Sequence, residues 1–358
     1  MLEETLSPPK QRSPHAGRVV AVVVTHNRLA HLQRCVGALL SAPAEHLAKV
    51  VVVDNASRDG TAEWLSGHKD GRLSWVTSQE NLGGAGGFAQ GISHALDAFD
   101  PDWILLLDDD AYPEADALAG FHRTERSTHQ VVCASVFHPN DQVSALNRPF
   151  WDPFRTKSRF VRACFQGKAG YYVSDQKMRG TDQLPVDFAT FVGFFVSKEA
   201  LLTVGLPDPL FFLYCDDLEY YLRLRRAGFQ LVLDPSLKFL HDCATFPTGR
   251  RVYDPLWKSY YAHRNGLWIV GQTAGWLKVP VSLGLCGVWV WRALFYRNRR
   301  DYLTLLWWAI KDAANRNMSR PHKDILRRAA WGSGWKSTIS ARPIVAKIKL
   351  LKATKKGA

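Results

Sequence analysis

The 358-residue chain has few cysteines, and their spacing matches no metal-binding or disulfide-rich module. The six cysteines are scattered along the chain without a C-x-x-C pair. This distribution excludes a zinc module and a disulfide framework, and it is typical of reduced thiols in a cytosolic protein. Residues 1–18 are polar and contain prolines but no apolar core, so we expect a flexible leader rather than an export signal.

Acidic residues are scarce in the C-terminal part of the chain. Residues 251–358 contain 21 lysines and arginines but only 4 acidic residues. Residues 1–250 contain 25 lysines and arginines and 29 acidic residues. The net charge of +13 therefore originates in the C-terminal region. A near-neutral body with a strongly basic end indicates two tasks, and we expect the basic end to bind an anionic surface.

This basic region also lacks a long uncharged run. The segment 279–291 has 13 uncharged residues, fewer than the ~20 that a spanning helix needs. The residues after it interleave arginine with phenylalanine, tyrosine and tryptophan, a composition that favours the headgroup region of an anionic membrane. One alternative is an ordinary helical subdomain that packs on the rest of the protein. Nucleic acid is a third explanation, which is not favoured because no recognised nucleic-acid-binding fold accompanies the charge.

The N-terminal part of the chain alternates short apolar runs with helical patterns. The runs Val19–Thr25, Lys49–Asp54 and Asp102–Asp108 are typical of strands buried on both faces of a sheet, and a weaker run lies at Leu73–Thr77. Strands that alternate with helices predict a parallel α/β sheet with right-handed crossovers. Ligands bind such sheets at the carboxyl ends of the strands, so polar residues at these ends are expected to converge.

Three consecutive carboxylates, Asp108, Asp109 and Asp110, directly follow the apolar run Trp103–Leu107 at the end of the fourth predicted strand. They would repel one another unless a cation neutralised them, and such hard oxygen ligands suit magnesium or manganese. A solvated acidic turn is the alternative for an isolated triplet, but the position at a strand end favours a metal site. His241 closes a later strand, either as a third ligand whose ring Asp242 orients or as a structural histidine.

Further polar positions point to a ligand at the same edge. Asp54 ends the second strand, where its carboxylate either binds a base or ribose or shapes an Asx-turn. Residues 81–87 (NLGGAGG) are expected to form either a loop that lets a phosphate approach the following helix or a flexible turn. Asp216, Asp217 and Glu219 begin a helix, where they either cap it or supply a base for an acceptor hydroxyl.

Seven motifs, in order from Val19 to Asn265, resemble those of glycosyltransferase family 2, the inverting enzymes with the GT-A fold. The motifs are VVVTHNR, VVVDNASRDGT, ENLGGAGGFAQG, WILLLDDDAYP, TFVGFFVSKEAL, DDLEYYLRLRRAG and YYAHRN. Within the family, the stretches ENLGGAGG, LLDDDA and DDLEYYLR are most similar to bacterial galactofuranosyltransferases, with rhamnosyltransferases as near neighbours. The resemblance implies an α/β GT-A fold with a mainly parallel central sheet and a helical, basic C-terminal extension.

The resemblance also implies roles for individual residues. Asp217 matches the catalytic base, and Asp216 is its acidic neighbour. The implied metal ligands are Asp108, Asp110 and His241. The implied donor contacts are Thr25, Asn27, Arg28, Asp54, Asn81, Gly83, Gly84 and Asp109. The implied acceptor contacts are Gly193, Glu219, His263 and Arg264.

The implied reaction transfers galactofuranose or rhamnose from a UDP- or dTDP-sugar to a hydroxyl of a lipid-linked or polysaccharide acceptor of the cell envelope. Manganese or magnesium would be the cofactor, and a single displacement would invert the anomeric configuration. The implied domains are a leader (1–18), a GT-A catalytic domain (19–250) and a membrane-interacting region (251–358). These features predict a cytoplasmic enzyme, peripheral on the inner face of the cell membrane, and they leave a homo-oligomer open.

Two other functions compete with this one. A sugar-nucleotide nucleotidyltransferase would also use an α/β sheet and a carboxylate-bound metal, but it should carry a glycine-rich, basic segment after the first strand, where THNR stands. A non-catalytic glycan-binding scaffold would tolerate the loss of acidic residues. The joint presence of Asp108, Asp110 and Asp217 argues against the scaffold.

Overall fold

The computed structural model describes residues 17–242 and 252–330. Most of the predicted leader, the domain boundary predicted at residue 250 and the end of the predicted membrane-interacting region lie outside the described residues. The five cysteines within the described ranges are free, in line with the expected reduced thiols.

Nine strands form one sheet among the described residues. The strands are β1 (Val19–Thr25), β2 (Lys49–Asp54), β3 (Leu73–Thr77), β4 (Trp103–Asp108), β5 (Ala111–Pro113), β6 (Gln130–Phe137), β7 (Leu184–Pro185), β8 (Phe194–Ser197) and β9 (Gln230–His241). Their order is β3-β2-β1-β4-β8-β6-β9-β5, and β7 also pairs with β9. The strands β3, β2, β1 and β4 run parallel, which confirms the predicted α/β class, while β8 and β5 run antiparallel to their neighbours.

Helices connect the strands and continue beyond the sheet. They are α1 (Leu29–Leu40), α2 (Thr61–Gly67), α3 (Gly83–Phe99), α4 (Ala117–Arg123), α5 (Lys157–Gln166), α6 (Asp175–Met178), α7 (Lys198–Val204), α8 (Asp216–Arg226), α9 (Lys258–Thr273), α10 (Lys278–Arg292), α11 (Arg299–Ala314) and α12 (His322–Ala330). The predicted glycine loop is partly wrong, because α3 already begins at Gly83. The side chain of Asn81 accepts a hydrogen bond from the Gly83 amide (2.8 Å) and holds this early helix start.

The core lies on both faces of the sheet, between two layers of helices. Alternate residues of β1 point to opposite faces, because successive side chains of a strand alternate. Val20, Val22 and Val24 pack in the cluster that contains residues of α3 and α8. Val19, Ala21 and Val23 pack with residues of α1 and α4. All six of these residues are buried, which holds β1 and the ends of its neighbours in fixed positions.

The strand register brings the predicted polar positions together. Thr25 at the end of β1 pairs with Asp54 at the end of β2. On the other side of β1, Val24 pairs with Asp108 at the end of β4. The carboxyl ends of these three strands therefore form one edge, as expected for a parallel sheet.

Helices α9 to α12 form a subdomain with its own small cores. One buried cluster lies between α9, α11 and α12 and consists of Tyr260, Tyr261, Leu305, Ala309 and Ile325. A second cluster lies beside α10 and α11 and includes Trp289 and Tyr302. The predicted helical C-terminal extension is thus confirmed for the described residues.

Candidate active site

Two carboxylates and an imidazole meet at the edge formed by the ends of β4 and β9. Ligand atoms of Asp108, Asp110 and His241 all lie within 4.8 Å of one another. The antiparallel pairing of β5 with β9 positions the histidine, since it places Ala111 beside His241. Hard carboxylate oxygens with one imidazole nitrogen suit manganese or magnesium, so this donor set fits the predicted cation.

The orientation of His241 is set by a residue that the sequence did not reveal. The Nδ1 atom of His241 lies 2.7 Å from the side-chain oxygen of Asn147. Because an amide oxygen only accepts, Nδ1 donates and Nε2 faces Asp110 at 2.9 Å. The expectation that Asp242 orients this ring is wrong, since Asp242 instead pairs with Arg34 (2.8 Å). Asn147 lies in a segment without periodicity, where no motif marks it.

The three carboxylates after β4 differ in their protonation. Burial raises the pKa of Asp109 to about 7, and burial together with the charge of Asp110 raises the pKa of Asp108 to about 6. Asp110 is also buried, yet the hydrogen bond and charge of His241, with help from Arg28, lower its pKa to about 2. Asp110 is therefore the carboxylate that stays ionised most easily, and the cluster attracts positive charge.

Arg28 supplies positive charge at this edge. Its guanidinium donates to Asp109 (3.0 Å) and to Asp110 (2.7 Å), and its side chain is 38% exposed. Asp109 also accepts a hydrogen bond from the Thr25 hydroxyl (2.8 Å). Thr25 and Arg28 therefore hold Asp109, which is not one of the three predicted metal ligands. The donor-binding roles of these residues stay predictions.

Of the two interpretations that the sequence left open for Asp54, the structure supports a role in shaping the turn, and ligand binding stays a prediction. One carboxylate oxygen, Oδ1, accepts a hydrogen bond from the amide of Ser57, three residues further on (2.9 Å), and so shapes the turn after β2. The other oxygen, Oδ2, is buried and has no hydrogen-bond partner in the described structure. A buried carboxylate oxygen normally has a donor, so Oδ2 is suited to a ligand hydroxyl or N–H group.

A network of amides holds the start of α3 next to Asp54. The Asn55 side-chain nitrogen donates to Asn81 (3.1 Å) and to the Gly83 carbonyl (2.9 Å). Gly84 follows with open space where a Cβ would stand. Nearby, the side chain of Asn27 accepts from the Arg58 amide (2.7 Å), which links the turn after β1 to the turn after β2. These contacts are structural, and direct donor contacts here stay predictions.

Asp216 and Asp217 stand at the start of α8. Burial raises the pKa of Asp216 to about 7. Burial and the charge of Asp216 raise the pKa of Asp217 well above its usual range, and Asp108 adds to the effect at both residues. The start of α8 therefore faces the carboxylates at the end of β4. A carboxylate whose pKa lies closer to neutrality is a more effective general base than an ordinary one.

Two of the predicted acceptor contacts have internal partners. Both oxygens of the Glu219 carboxylate accept from the Arg223 guanidinium, at 2.8 and 3.0 Å. Gly193 has a positive φ of 66°. A Cβ on this glycine would stand 2.7 Å from Ala134, so it is packed inside the sheet. Acceptor contact by either residue stays a prediction.

The other two predicted contacts, His263 and Arg264, also bind within the protein. The His263 ring stacks on Trp289 and its Nε2 lies 3.1 Å from the Tyr302 hydroxyl. Burial lowers its pKa to about 3, so it is a neutral packing residue. Arg264 is fully buried and donates to backbone carbonyls. The diphosphate or acceptor contact expected for these two residues stays a prediction.

Comparisons with known proteins show the family of this chain. Residues 20–198 match the family model Glycosyl transferase family 2. Galactofuranosyltransferase GlfT1 of Mycolicibacterium smegmatis is 30% identical over 80% of this chain and 98% of its own length. N-acetylglucosaminyl-diphospho-decaprenol L-rhamnosyltransferase of Mycobacterium tuberculosis is 26% identical over 80% of this chain and 96% of its own.

A likeness to a solved structure supports the fold. The crystal structure of GalNAc-T7 with UDP, GalNAc and Mn2+ superposes with a TM-score of 0.52 at 14% sequence identity. The match covers 88% of this chain and 57% of that one. The family match, the near-complete alignment with GlfT1 and the shared sheet all agree. The chain belongs to glycosyltransferase family 2 and is a hexosyltransferase with a GT-A fold.

Proposed function

We propose that the chain is an inverting, metal-dependent transferase that moves galactofuranose or rhamnose from a nucleoside diphosphate to a hydroxyl of a lipid-linked or polysaccharide acceptor. The observation that carries the proposal is the grouping of Asp108, Asp110 and His241 within 4.8 Å, in the electrostatic field of Asp216 and Asp217. The names of the relatives, a galactofuranosyltransferase and an L-rhamnosyltransferase, support the two donor sugars.

The donor would bind across the ends of β1, β2 and β4. A manganese or magnesium ion held by Asp108, Asp110 and His241 would neutralise charge on the departing diphosphate. Asp54 offers its unpartnered Oδ2 to a hydroxyl of the ribose or an N–H of the base. Arg28 lies at the same edge and adds positive charge beside the phosphates.

Asp217 is the proposed general base. The acceptor oxygen attacks the anomeric carbon while the bond from that carbon to the diphosphate oxygen breaks, and Asp217 takes the proton of the attacking hydroxyl. Asp216 keeps the pKa of Asp217 high through like charge. Because no carboxylate acts as a nucleophile, the reaction is one displacement and the anomeric configuration inverts.

The C-terminal helices are proposed to place the enzyme on an anionic membrane. The helical segment Gly275–Phe295 has 21 residues and is mostly exposed, and it is the one segment in the described ranges long and apolar enough to span a membrane. It exceeds the uncharged run counted in the sequence because it includes Lys278, Arg292 and a short 3-10 helix on each side of α10. Trp289 and Ala293 fix one face to the protein, so we propose an interfacial position.

A screen of nucleotide sugars tests the proposed reaction. UDP-galactofuranose and dTDP-rhamnose would be incubated with polyprenyl-linked glycan acceptors and Mn2+ or Mg2+, and nucleoside diphosphate release and glycan products would be measured. Asp217→Asn is expected to lower kcat by roughly 100- to 10,000-fold, because the base is lost. Asp182→Asn, at an exposed site, is the matched control and should keep the wild-type rate. Unchanged transfer by the Asp217 variant would remove it as the base.

A further inference from the structure

A conformationally strained loop leads directly into α8. Phe212, Tyr214 and Cys215 all have positive φ values, of 61°, 66° and 62°. Side chains other than glycine rarely adopt this region, and such residues persist only when their surroundings hold them there. Cys215 is the last residue before α8 begins at Asp216. The shape of this loop therefore sets where Asp216 and Asp217 project.

The side chain of Asn265, on α9, holds the loop from one side. Its amide nitrogen lies 3.0 Å from the Phe211 carbonyl, 3.0 Å from the Leu213 carbonyl and 2.7 Å from the Tyr214 carbonyl. Asn265 is fully buried. Because buried carbonyls need donors, a single amide replaces the backbone partners that regular secondary structure would give this loop.

Arg264 fixes the orientation of that amide. Its Nε atom donates to the side-chain oxygen of Asn265 (2.8 Å), which turns the amide nitrogen toward the loop. Its Nη2 atom donates to the carbonyls of Leu210 (2.8 Å) and Phe211 (3.2 Å). Arg264 and Asn265 therefore bind the loop as one unit.

The opposite side of the same loop rests on the start of α3. The Phe212 carbonyl accepts from the Ala85 amide (3.2 Å), and a Cβ on Gly83 would stand 2.0 Å from that carbonyl oxygen. The Gly83 carbonyl in turn accepts from Asn55, beside Asp54. The loop thus connects the edge proposed for the donor with the helix that carries the proposed base.

We propose that Asn265, oriented by Arg264, is a positioning residue for the Asp217 carboxylate. This inference rests on the proposed function of Asp217. Asn265 holds the strained loop so that α8 starts with Asp217 directed at the acceptor hydroxyl, while donor and cation bind at the strand ends without it. Loss of the amide should therefore reduce the rate of transfer more than the affinity for the donor.

The test compares Asn265→Ala with two other variants in the full-length protein. Asn265→Ala is expected to lower kcat by about 100-fold, the effect of misplacing a reacting group by about 1 Å. The KM for the nucleotide sugar and the Kd for UDP with Mn2+ should change less than about threefold, because the strand ends are untouched. Arg264→Lys keeps the positive charge but loses the guanidinium fork, so it should lower kcat in the same direction.

Ser259→Ala is the matched control. Ser259 is a fully buried polar residue on the same helix, and its hydroxyl donates to the Leu256 carbonyl (2.7 Å), not to the loop. Ser259→Ala should keep the wild-type kcat even if the melting temperature of this variant falls as far as that of Asn265→Ala. A kcat within twofold of wild type for Asn265→Ala, or an equal loss of UDP binding, overturns the inference. Asp217→Asn is assayed in parallel. If Asp217→Asn keeps the wild-type kcat, the proposed base is wrong. If Asp217→Asn loses activity while Asn265→Ala does not, only the inference about Asn265 is wrong.

Discussion

Near neutral pH the carboxylates at the end of β4 are electrostatically unfavourable for the folded protein unless a cation neutralises them. In the folded protein the pKa of Asp108 is raised to about 6 and that of Asp109 to about 7, mainly by burial. With a raised folded pKa, the stability that these carboxyl groups contribute is fully present below their unfolded pKa of about 3.9 and is lost as the pH rises from there through the folded pKa values of about 6 and 7. Above this window a bound cation would offset that loss.

We therefore predict that Mn2+ raises the melting temperature of the wild-type protein, and more at pH 7.5 than at pH 5.5. At 100 times the Kd, binding contributes about 2.7 kcal/mol of stability. Asp110→Asn should abolish most of this rise, because it removes a ligand that ionises easily. Thermal unfolding with and without Mn2+ measures the effect.

The control for this prediction is Asp116→Asn, at an exposed position away from the three ligands. It should keep the full response to Mn2+. An equal rise in melting temperature for Asp110→Asn and wild type would show that the cation binds elsewhere.

The pKa of Asp217 predicts how the rate depends on pH. A general base acts as the ionised carboxylate, and burial with the charge of Asp216 raises the pKa of Asp217 well above its usual range. The kcat should therefore rise with pH and level off only above the range of an ordinary aspartate, about 3.9. Asp216→Asn removes the like charge, so the rising limb should move to lower pH. A limb that stays in place would assign it to another group.

The residues of the site were predictable from sequence to different degrees. Asp54 and Asp108 follow buried strands, so the rule that strand ends converge sufficed to bring them together. Asn147 was not predictable, because it lies in a segment without a motif and acts on a partner far away in the chain. Asn265 lies in the motif YYAHRN, but its partners before α8 are also distant in the chain, so the motif alone does not show them. The partners of His263 and Arg264 were hidden for the same reason. Their burial follows from the packing of α9 against distant segments.

At the level of elements, the start of α3 is defined by one glycine. Gly83 has a φ of 70°, and a Cβ there would stand 2.0 Å from the Phe212 carbonyl oxygen. Both the backbone conformation and the close approach exclude a side chain. Gly84 is next to it but has open space around its Cβ position, so the two glycines form a matched pair.

We predict that Gly83→Ala destabilises the protein by roughly 1–3 kcal/mol or more, because the left-handed backbone is strained and a rigid carbonyl blocks the new methyl group. Gly84→Ala should leave stability unchanged or raise it by up to about 1 kcal/mol, since alanine favours a helix. Urea unfolding of both variants measures the difference. Equal stabilities would mean that the loop can move away from α3 without cost.

The strands and helices of the parallel half followed closely from the sequence pattern. Strands β1, β2 and β3 have the predicted bounds, and β4 begins one residue later than predicted. Local patterning was sufficient for β1, β2 and β4 because these strands are buried on both faces, and the weaker run of β3 is only partly buried. The region of about residues 131–190 lacks clear periodicity, so its elements did not follow from the pattern. Its strand order depends on pairing between distant segments, which local pattern does not encode.

For the molecule as a whole, charge and apolar exposure coincide at one end. Trp276 is 86% exposed, Leu283 68%, Trp291 58% and Phe295 60%. These residues lie on the helical segment Gly275–Phe295, and we call them the C-terminal apolar surface. Exposed basic residues flank it, namely Lys278, Arg297, Arg299 and Arg300. Exposed tryptophans beside arginines are suited to the headgroup region of a membrane that carries negative charge.

We predict that the protein binds vesicles containing phosphatidylglycerol much more tightly than vesicles of phosphatidylcholine alone. Each basic residue near an anionic surface contributes about 1 kcal/mol. Replacing Arg297, Arg299 and Arg300 by glutamine should therefore weaken binding about 100-fold. Trp276→Ala combined with Trp291→Ala should also weaken it, through the loss of buried apolar area. Vesicle flotation at several salt concentrations measures both effects.

The salt dependence of vesicle binding, together with a surface control, distinguishes an interfacial helix from a spanning helix, a packed subdomain and a nucleic-acid-binding region. Trp75→Ala is the control, because Trp75 is 39% exposed but lies on β3, outside the C-terminal apolar surface. It should bind vesicles like the wild type.

An interfacial helix held partly by charge should leave anionic vesicles at high salt, since salt screens its arginines. Binding that resists high salt and does not require anionic lipid would instead indicate a spanning helix. Absence of binding to vesicles would indicate a subdomain that only packs on the catalytic body, and salt-sensitive binding to DNA alone would favour nucleic acid.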